Sequence, residues 1–427
     1  MTIEENKSKV FKENSSLNPS FTPWPNFSQE EADAVSETLL SNKVNYWTGN
    51  KTRIFESEFA KFCNVKFAVA LANGTLALDL ALHCLGVGLH NGGSSHDEVI
   101  VTPRTFIASV SSVVNAGAKP VFADVDKVSG NITAKTISSV ITEKTVAIIP
   151  VHLAGWPCDM DPIMVLAKNN NLKVIEDCAQ AHGAIYKGRP VGSIGDVGAW
   201  SFCQDKIMST GGEGGMVTTN DYDLWSKMWS YKDHGKSWNS VYERQHSPGF
   251  RWLHESFGTN YRMIEMQAII GLIQLGKMKE WTTKRQANAE IIINALSEFA
   301  SEDGPIRFHK LHCENCPKIT CDENCIHAYY KFYAYVQPQN LAPVWSRDKI
   351  VQEILARGVP CFQGSCSEVY LERAFDNTGL RPQNRLHIAK ELGETSLMFL
   401  VHPTLTNKDM LRSFEAIQDV MRLARKT

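Results

Sequence analysis

The sequence has no run of about eighteen apolar residues of the kind a membrane-spanning helix needs. Its first residues, Met1 to Lys9, are polar and charged, without the apolar stretch of a secretory leader. Both absences point to the cytoplasm and away from a membrane partner. Charge of one sign is also lacking: 44 Lys and Arg against 46 Asp and Glu leave a formal net charge of -2, which indicates no nucleic acid or anionic lipid surface as partner. Cysteine occurs 11 times, an odd number, and Cys63, Cys84, Cys158, Cys178, Cys203 and Cys361 stand singly, so a secreted disulfide framework is excluded. Internal repeats and low-complexity tracts are missing. Gly86 and Gly88 follow a helical stretch, not a strand, and so make no dinucleotide fingerprint. What is present is a chain of 427 residues, 43% hydrophobic, enough for about two or three domains and a small neutral or anionic ligand.

From Phe67 onward short apolar runs alternate with amphipathic stretches, the pattern of a mostly parallel sheet covered by helices on both faces. The runs predict strands at Phe67–Ala72, Glu98–Thr102, Pro120–Ala123, Ala147–Val151, Lys173–Glu176, Gly198–Phe202 and Gly215–Thr219. Helices are expected at Leu76–Cys84, Phe106–Asn115 and Pro162–Asn169, with a surface loop at Gly92–Ser95. A long helical stretch from Met263 to about Phe299 would join a large domain, residues 20–287, to a smaller C-terminal α/β domain, residues 288–427. That second domain holds strand-like Tyr329–Val336 and a closing helix, Lys408–Arg425.

Open parallel sheets bind ligands at the carboxyl ends of their strands, and four features fall there. Asn73-Gly74-Thr75 takes a strand into a helix, where free N–H groups and the Thr75 hydroxyl could hold a phosphate; a plain small-residue turn is the competing reading. Val174-Ile175-Glu176-Asp177 delivers an acid to a strand end with Gln180 close behind, suited to a pyridinium nitrogen or to an ordinary helix cap. Ser201 closes a strand just before Lys206 and a glycine-rich turn; the amine is either a surface charge or, when desolvated, a group able to condense with an aldehyde. Gly258-Thr259-Asn260-Tyr261-Arg262 is a polar turn before the long helix, and Phe106 could stack on a flat ring or pack in the core.

Together with Gly117-Ala118-Lys119-Pro120-Val121-Phe122-Ala123-Asp124 and Asp177-Cys178-Ala179-Gln180-Ala181-His182-Gly183, these pieces resemble the DegT/DnrJ/EryC1/StrS family of sugar aminotransferases over most of the chain. The resemblance implies the aspartate-aminotransferase-like type I fold and pyridoxal 5'-phosphate (PLP) as cofactor. By position it implies Lys206 as Schiff-base lysine and general base, Asp177 on the pyridine nitrogen, Gln180 near the ring hydroxyl, Gly74, Thr75 and Ser201 on the phosphate, and Phe106 stacked on the ring. Asn260 would reach the phosphate of a neighbouring subunit, making the functional unit a homodimer with shared sites; Glu213 is left as a structural residue of the turn. The implied reaction takes an amino group from glutamate, releases 2-oxoglutarate, and aminates a sugar carbonyl.

Lys206 favours transamination over the dehydratases that have lost this lysine, and the lack of a basic patch or helix-turn-helix pattern counts against a non-catalytic regulator. Three features depart from the family pattern. Arg104 stands near the stacking position and could grip a carboxylate, which hints at a sugar acid; the whole resembles the branch that aminates C8 of an octulosonic sugar (Kdo) for lipopolysaccharide, with a nucleotide-linked keto-hexose as the alternative. Cys203-Gln204-Asp205 precedes the lysine. Finally Cys313, Cys316, Cys321 and Cys325, flanked by His312 and His327, crowd an insertion at 312–327 with ligand types that zinc could use tetrahedrally; the spacing matches no strong zinc pattern, reduced thiols or an adventitious disulfide in a surface loop are the competing readings, and no metal is assigned.

Overall fold

A computed structural model describes residues 21–309 and 324–426. Strands buried on both faces must be apolar nearly throughout, and the runs with that property form the sheet. They are β1 (Phe67–Leu71), β2 (Glu98–Val101), β3 (Lys119–Phe122), β4 (Thr145–Ile149) and β5 (Lys173–Asp177), then, after a two-residue ribbon of β6 (Ile185–Tyr186) and β7 (Arg189–Pro190), β8 (Val197–Ser201) and β9 (Gly215–Thr219). All seven expected strands are present within two residues of their expected bounds. The sheet order is β1-β9-β8-β5-β4-β2-β3. β3, β2, β4, β5 and β8 pair in parallel, and β9 runs antiparallel between β8 and β1. Carboxyl ends of β1, β2, β4, β5 and β8 therefore share one edge of the sheet.

Helices α1 (Gln29–Leu40), α2 (Lys51–Phe62), α3 (Gly74–Cys84), α4 (Ala108–Asn115), α5 (Ala134–Ser138), α6 (Met160–Asn169) and α7 (Tyr222–Tyr231) precede the 33-residue α8 (Glu265–Ser297). Glu265, fully buried at the start of α8, accepts hydrogen bonds from the Lys51 and Thr52 N–H groups and the Thr52 hydroxyl, so one helix start caps another. Further on, Ala289, Ile292, Ala295 and Leu296 enter a second core. The expected domain border at 287/288 falls inside α8, which passes through it unbroken.

That second core lies on a four-stranded antiparallel sheet in the order β10 (Ile306–Phe308), β11 (Phe332–Val336), β13 (Ser396–Phe399) and β12 (Cys361–Phe362), covered by α9 (Arg347–Ala356) and α11 (Asn407–Ala424), with α10 (His387–Thr395) alongside. β11 starts three residues later than Tyr329, because Tyr329 takes φ 46° and the chain turns before it can extend. α4 begins at Ala108, which leaves Phe106 in the preceding loop.

Candidate active site

A cavity of about 700 Å³ opens at the shared strand edge and is closed from the far side by turns of the C-terminal part of the chain, which with the antiparallel sheet make up a second layer. Of the nine site residues expected from sequence, Gly74, Thr75, Phe106, Asp177, Gln180, Ser201 and Lys206 line it. β1 enters α3 through Asn73, whose side chain accepts from the Leu76 N–H, while the N–H groups of Gly74 and Thr75 stand at the open helix start. A Cβ on Gly74 would sit 2.5 Å from the Ser201 Cβ; only glycine brings the helix start this close to the end of β8.

Asp177, last residue of β5 and 5% exposed, forms no ion pair among the described residues. Its two oxygens accept from the Ser109 hydroxyl at 2.7 Å and the Ala179 N–H at 3.1 Å, and the Ser109 hydroxyl lies 2.7 Å from that of Thr105. Two neutral donors orient the carboxylate and leave its charge available to a cation. Gln180 spends its amide oxygen on the Ala154 N–H at 2.8 Å, so its NH2 end remains for a ligand.

Lys206 lies in an irregular turn after β8 with its side chain 14% exposed. Nζ is 3.8 Å from Asp205 Oδ1 and 5.4 Å from the centre of the Tyr330 ring, and the Tyr330 hydroxyl donates to the other Asp205 oxygen. Burial alone would raise the Asp205 carboxyl, but Lys206, the Tyr330 hydroxyl and Lys331 outweigh it and hold it below the ordinary range. The same burial, with the Asp205 charge, drives the Tyr330 hydroxyl well above its usual range, so it remains a donor.

Two expected site residues are elsewhere. Asn260 is exposed, outside the cavity of its own chain, in a backbone bridge with Asp233. Arg104 is 1% exposed and turned away from the cavity: its Nη1 donates to the Tyr335 hydroxyl at 3.1 Å, and its guanidinium lies over the rings of Tyr333 and Tyr335. Tyr333 in turn bonds the hydroxyl of Ser365, so Arg104 stands one layer behind the cavity wall. The sequence reading missed Tyr330, Ser365, Cys366 and Glu372 on the far wall, and Thr105 and Ser109 beneath Asp177. Only the Thr105/Ser109 pair, four residues apart beside a strand end, left a local signal.

Cys313, Cys316, Cys321 and His312 lie outside the described residues. His327 spends Nδ1 on the Tyr329 N–H, and burial holds its pKa well below the usual value. His152, Glu176 and Cys178 cluster beneath the strand end, but Glu176 is already bound by His152 and by the N–H groups of Gly192, Ile194 and Gly195.

The model of the DegT/DnrJ/EryC1/StrS aminotransferase family matches residues 25–418. GDP-perosamine synthase of Caulobacter vibrioides is 34% identical over 401 residues, 93% of this chain and 97% of that one. The dTDP-3-amino-3,6-dideoxy-alpha-D-galactopyranose transaminase of Aneurinibacillus thermoaerophilus is 29% identical, covering 92% and 95%. Among solved structures, the aminotransferase from Psychrobacter cryohalolentis aligns with a TM-score of 0.90 and 62% identity over 94% of this chain and 99% of that one.

Proposed function

The chain belongs to the DegT/DnrJ/EryC1/StrS aminotransferase family as a PLP-dependent sugar aminotransferase, and from that premise we propose that Lys206 is its covalent, proton-moving lysine and a nucleotide-linked keto sugar its acceptor. The donor set fits the cofactor: a helix start with free N–H groups and two hydroxyls for a phosphate, a desolvated carboxylate for a ring nitrogen, and an amine on the same cavity. That convergence of Lys206 and Asp177 carries the reading. When bound, PLP supplies an electron sink for the pair released as a proton leaves carbon. Lys206 Nζ takes that proton and returns it in each half-reaction; Asp177 keeps the pyridine nitrogen protonated, with Ser109 holding its orientation. Glutamate is the proposed donor and 2-oxoglutarate the departing acid. Borohydride reduction of the holoenzyme followed by peptide mapping should label Lys206; an unlabelled Lys206 ends the proposal.

The nucleotide-linked acceptor is supported by two relatives whose names carry a GDP- or dTDP-sugar. The sugar-acid reading leaned on Arg104, whose burial behind Tyr333 and Tyr335 withdraws that support. Parallel assays with a nucleotide-linked 4-keto-hexose and with 8-oxo-Kdo decide; turnover of the Kdo derivative alone would restore the C8 branch.

Asn260 is proposed to complete the phosphate site of a second copy. Beside it Phe250, Trp252 and Phe257 are 78%, 79% and 100% exposed, an apolar surface suited to cover by a symmetric partner. Sedimentation at micromolar concentration should give a dimer. No helix of the described residues is long and apolar enough to cross a membrane. The buried thiols of Cys63, Cys158, Cys178 and Cys361, none in a disulfide, support a reducing, cytoplasmic setting.

A further inference from the structure

Lys206 sits in a turn, so no strand ladder fixes its backbone. Its N–H donates to the Cys203 carbonyl at 3.0 Å, and its own carbonyl accepts a hydrogen bond from far away in sequence: the indole Nε1–H of Trp24, at 2.8 Å. Trp24 belongs to the arm ahead of α1. Its ring meets Trp281 of α8 edge-on at 5.2 Å, lies nearly parallel to His402 at 5.9 Å, and has the Arg285 guanidinium 5.1 Å from its centre.

The arm is anchored in the second layer. Thr404 Oγ1 donates to the Pro23 carbonyl at 3.1 Å, Thr22 Oγ1 reaches Asp409 at 3.4 Å, and Arg412 lies over the Phe21 ring. Arg285, 1% exposed on α8, donates to the Tyr329 carbonyl at 3.2 Å, directly before Tyr330. Burial pushes its pKa down to about 9, which still leaves it charged at neutral pH. Thus Trp24, on the Lys206 carbonyl, and Tyr330, on Asp205 next to it, both rest on Arg285.

We infer that Trp24 is a positioning residue for Lys206: its indole N–H sets the backbone from which the amine reaches the cavity, and the arm ties that position to the second layer. A lysine side chain has four rotatable bonds, and reacting groups must hold their place within about 0.5 Å, so a fixed backbone origin narrows the positions its Nζ can reach. The aromatic contacts alone would need only a ring. The N–H is what Phe or Leu at this position would lack.

This inference rests on Lys206 being the covalent lysine, and the two can fail separately. Trp24→Phe keeps an aromatic ring, smaller than the indole, and deletes the donor. In the purified holoenzyme it should lower kcat roughly 3- to 10-fold, the worth of one hydrogen bond, with KM for glutamate and for the sugar within about twofold. It should also move the pH midpoint of the visible absorption band, a readout that simple loss of packing leaves in place. An unchanged kcat and midpoint with only a lower Tm overturns the inference. Should Trp24→Phe not fold, Thr404→Val keeps the indole donor but frees the Pro23 carbonyl and the His402 Nδ1 that Thr404 holds, so it loosens the arm and should move both quantities the same way by a smaller amount; no movement overturns the inference equally. Borohydride mapping of the unaltered enzyme separates the cases: label on Lys206 with an indifferent Trp24→Phe removes only the role of Trp24, whereas no label on Lys206 removes the premise.

Discussion

One wall of the cavity is made of strand ends and helix starts, with Gly74, Asp177, Ser201 and Lys206 on it; the facing wall comes from turns of the second layer, with Tyr330, Ser365, Cys366 and Glu372. Most of the first wall is stiff because Gly74, Asp177 and Ser201 stand at strand ends or a helix start whose spacing the sheet sets, while Lys206 follows β8 in a turn. Gly74 cannot even carry a Cβ without striking Ser201. The second is held mainly by side chains, Ser365 by the Tyr333 hydroxyl and Tyr330 by Asp205, with one backbone bond from the Val369 N–H to the Pro103 carbonyl. Chemistry common to many substrates needs fixed geometry, and choice among substrates needs a surface that can vary without disturbing it. On the proposed function, the cofactor would rest on the first wall and the sugar would face the second.

The largest expected effects fall on the first wall. Lys206→Arg keeps a cation but loses the group able to exchange a proton, and should cut turnover by roughly 10²- to 10⁴-fold or more in both half-reactions. Asp177→Asn removes the charge and turns one accepting oxygen into an NH2 donor; the amide oxygen can still accept from the Ala179 N–H while the NH2 donates to a rotated Ser109 hydroxyl. An adjacent opposite charge shifts a titration by about 1–3 units, so turnover should fall roughly 10- to 10³-fold, again in both halves. Stopped-flow spectroscopy with glutamate alone, then with the sugar, measures each half. A loss confined to the sugar half would break the division between the walls.

On the facing wall Glu372→Gln should raise KM for the sugar roughly 3- to 10-fold, the range of one lost hydrogen bond, with a smaller effect on the glutamate half-reaction. An equal effect on both halves would show that the wall is shared between the two substrates, and the comparison would have to be redrawn.

The two walls also differed in how far the sequence disclosed them. Strands buried on both faces read as apolar runs, so all seven strands and the site residues at their ends were legible, down to Asp177 as the last residue of β5. Phe106 was placed at a helix start; it stays in the loop, 68% exposed, because α4 begins two residues later. Arg104 was read as a neighbour of Phe106 in space because it is one in sequence, yet in an irregular turn residues two apart can face opposite ways, and this one faces Tyr335. Tyr330 looked like part of a strand, and the positive φ at Tyr329 that turns it into the cavity has no signature in a run of aromatic residues. Ser365, Glu372 and Trp24 reach the site over sequence separations of more than 150 residues from Lys206, beyond any local pattern.

The smallest effect concerns stability and places one histidine behind each wall. His182 follows the Asp177 motif and packs against Trp200 and Phe202, and His402 lies beside Trp24 in the second layer. Burial, reinforced by the charges of Lys206 and Arg285 at His182 and of Arg285 and Lys331 at His402, pushes each down to about 3 from an ordinary 6.5. Between pH 6.5 and 3 the unfolded chain therefore binds a proton at each histidine that the folded chain refuses, so the free energy of unfolding falls as pH falls through that window and is unaffected by these groups above it. Each should cost about 1 kcal/mol between pH 6.5 and 5.5. Denaturant titrations at both pH values should show the loss, and His182→Phe, which keeps a ring between Trp200 and Phe202, should flatten it by about half of the pair's share. If instead His402→Gln alone removed the whole pH dependence, the second layer would be opening in acid before the sheet does, and the facing wall would be the weaker one in folding.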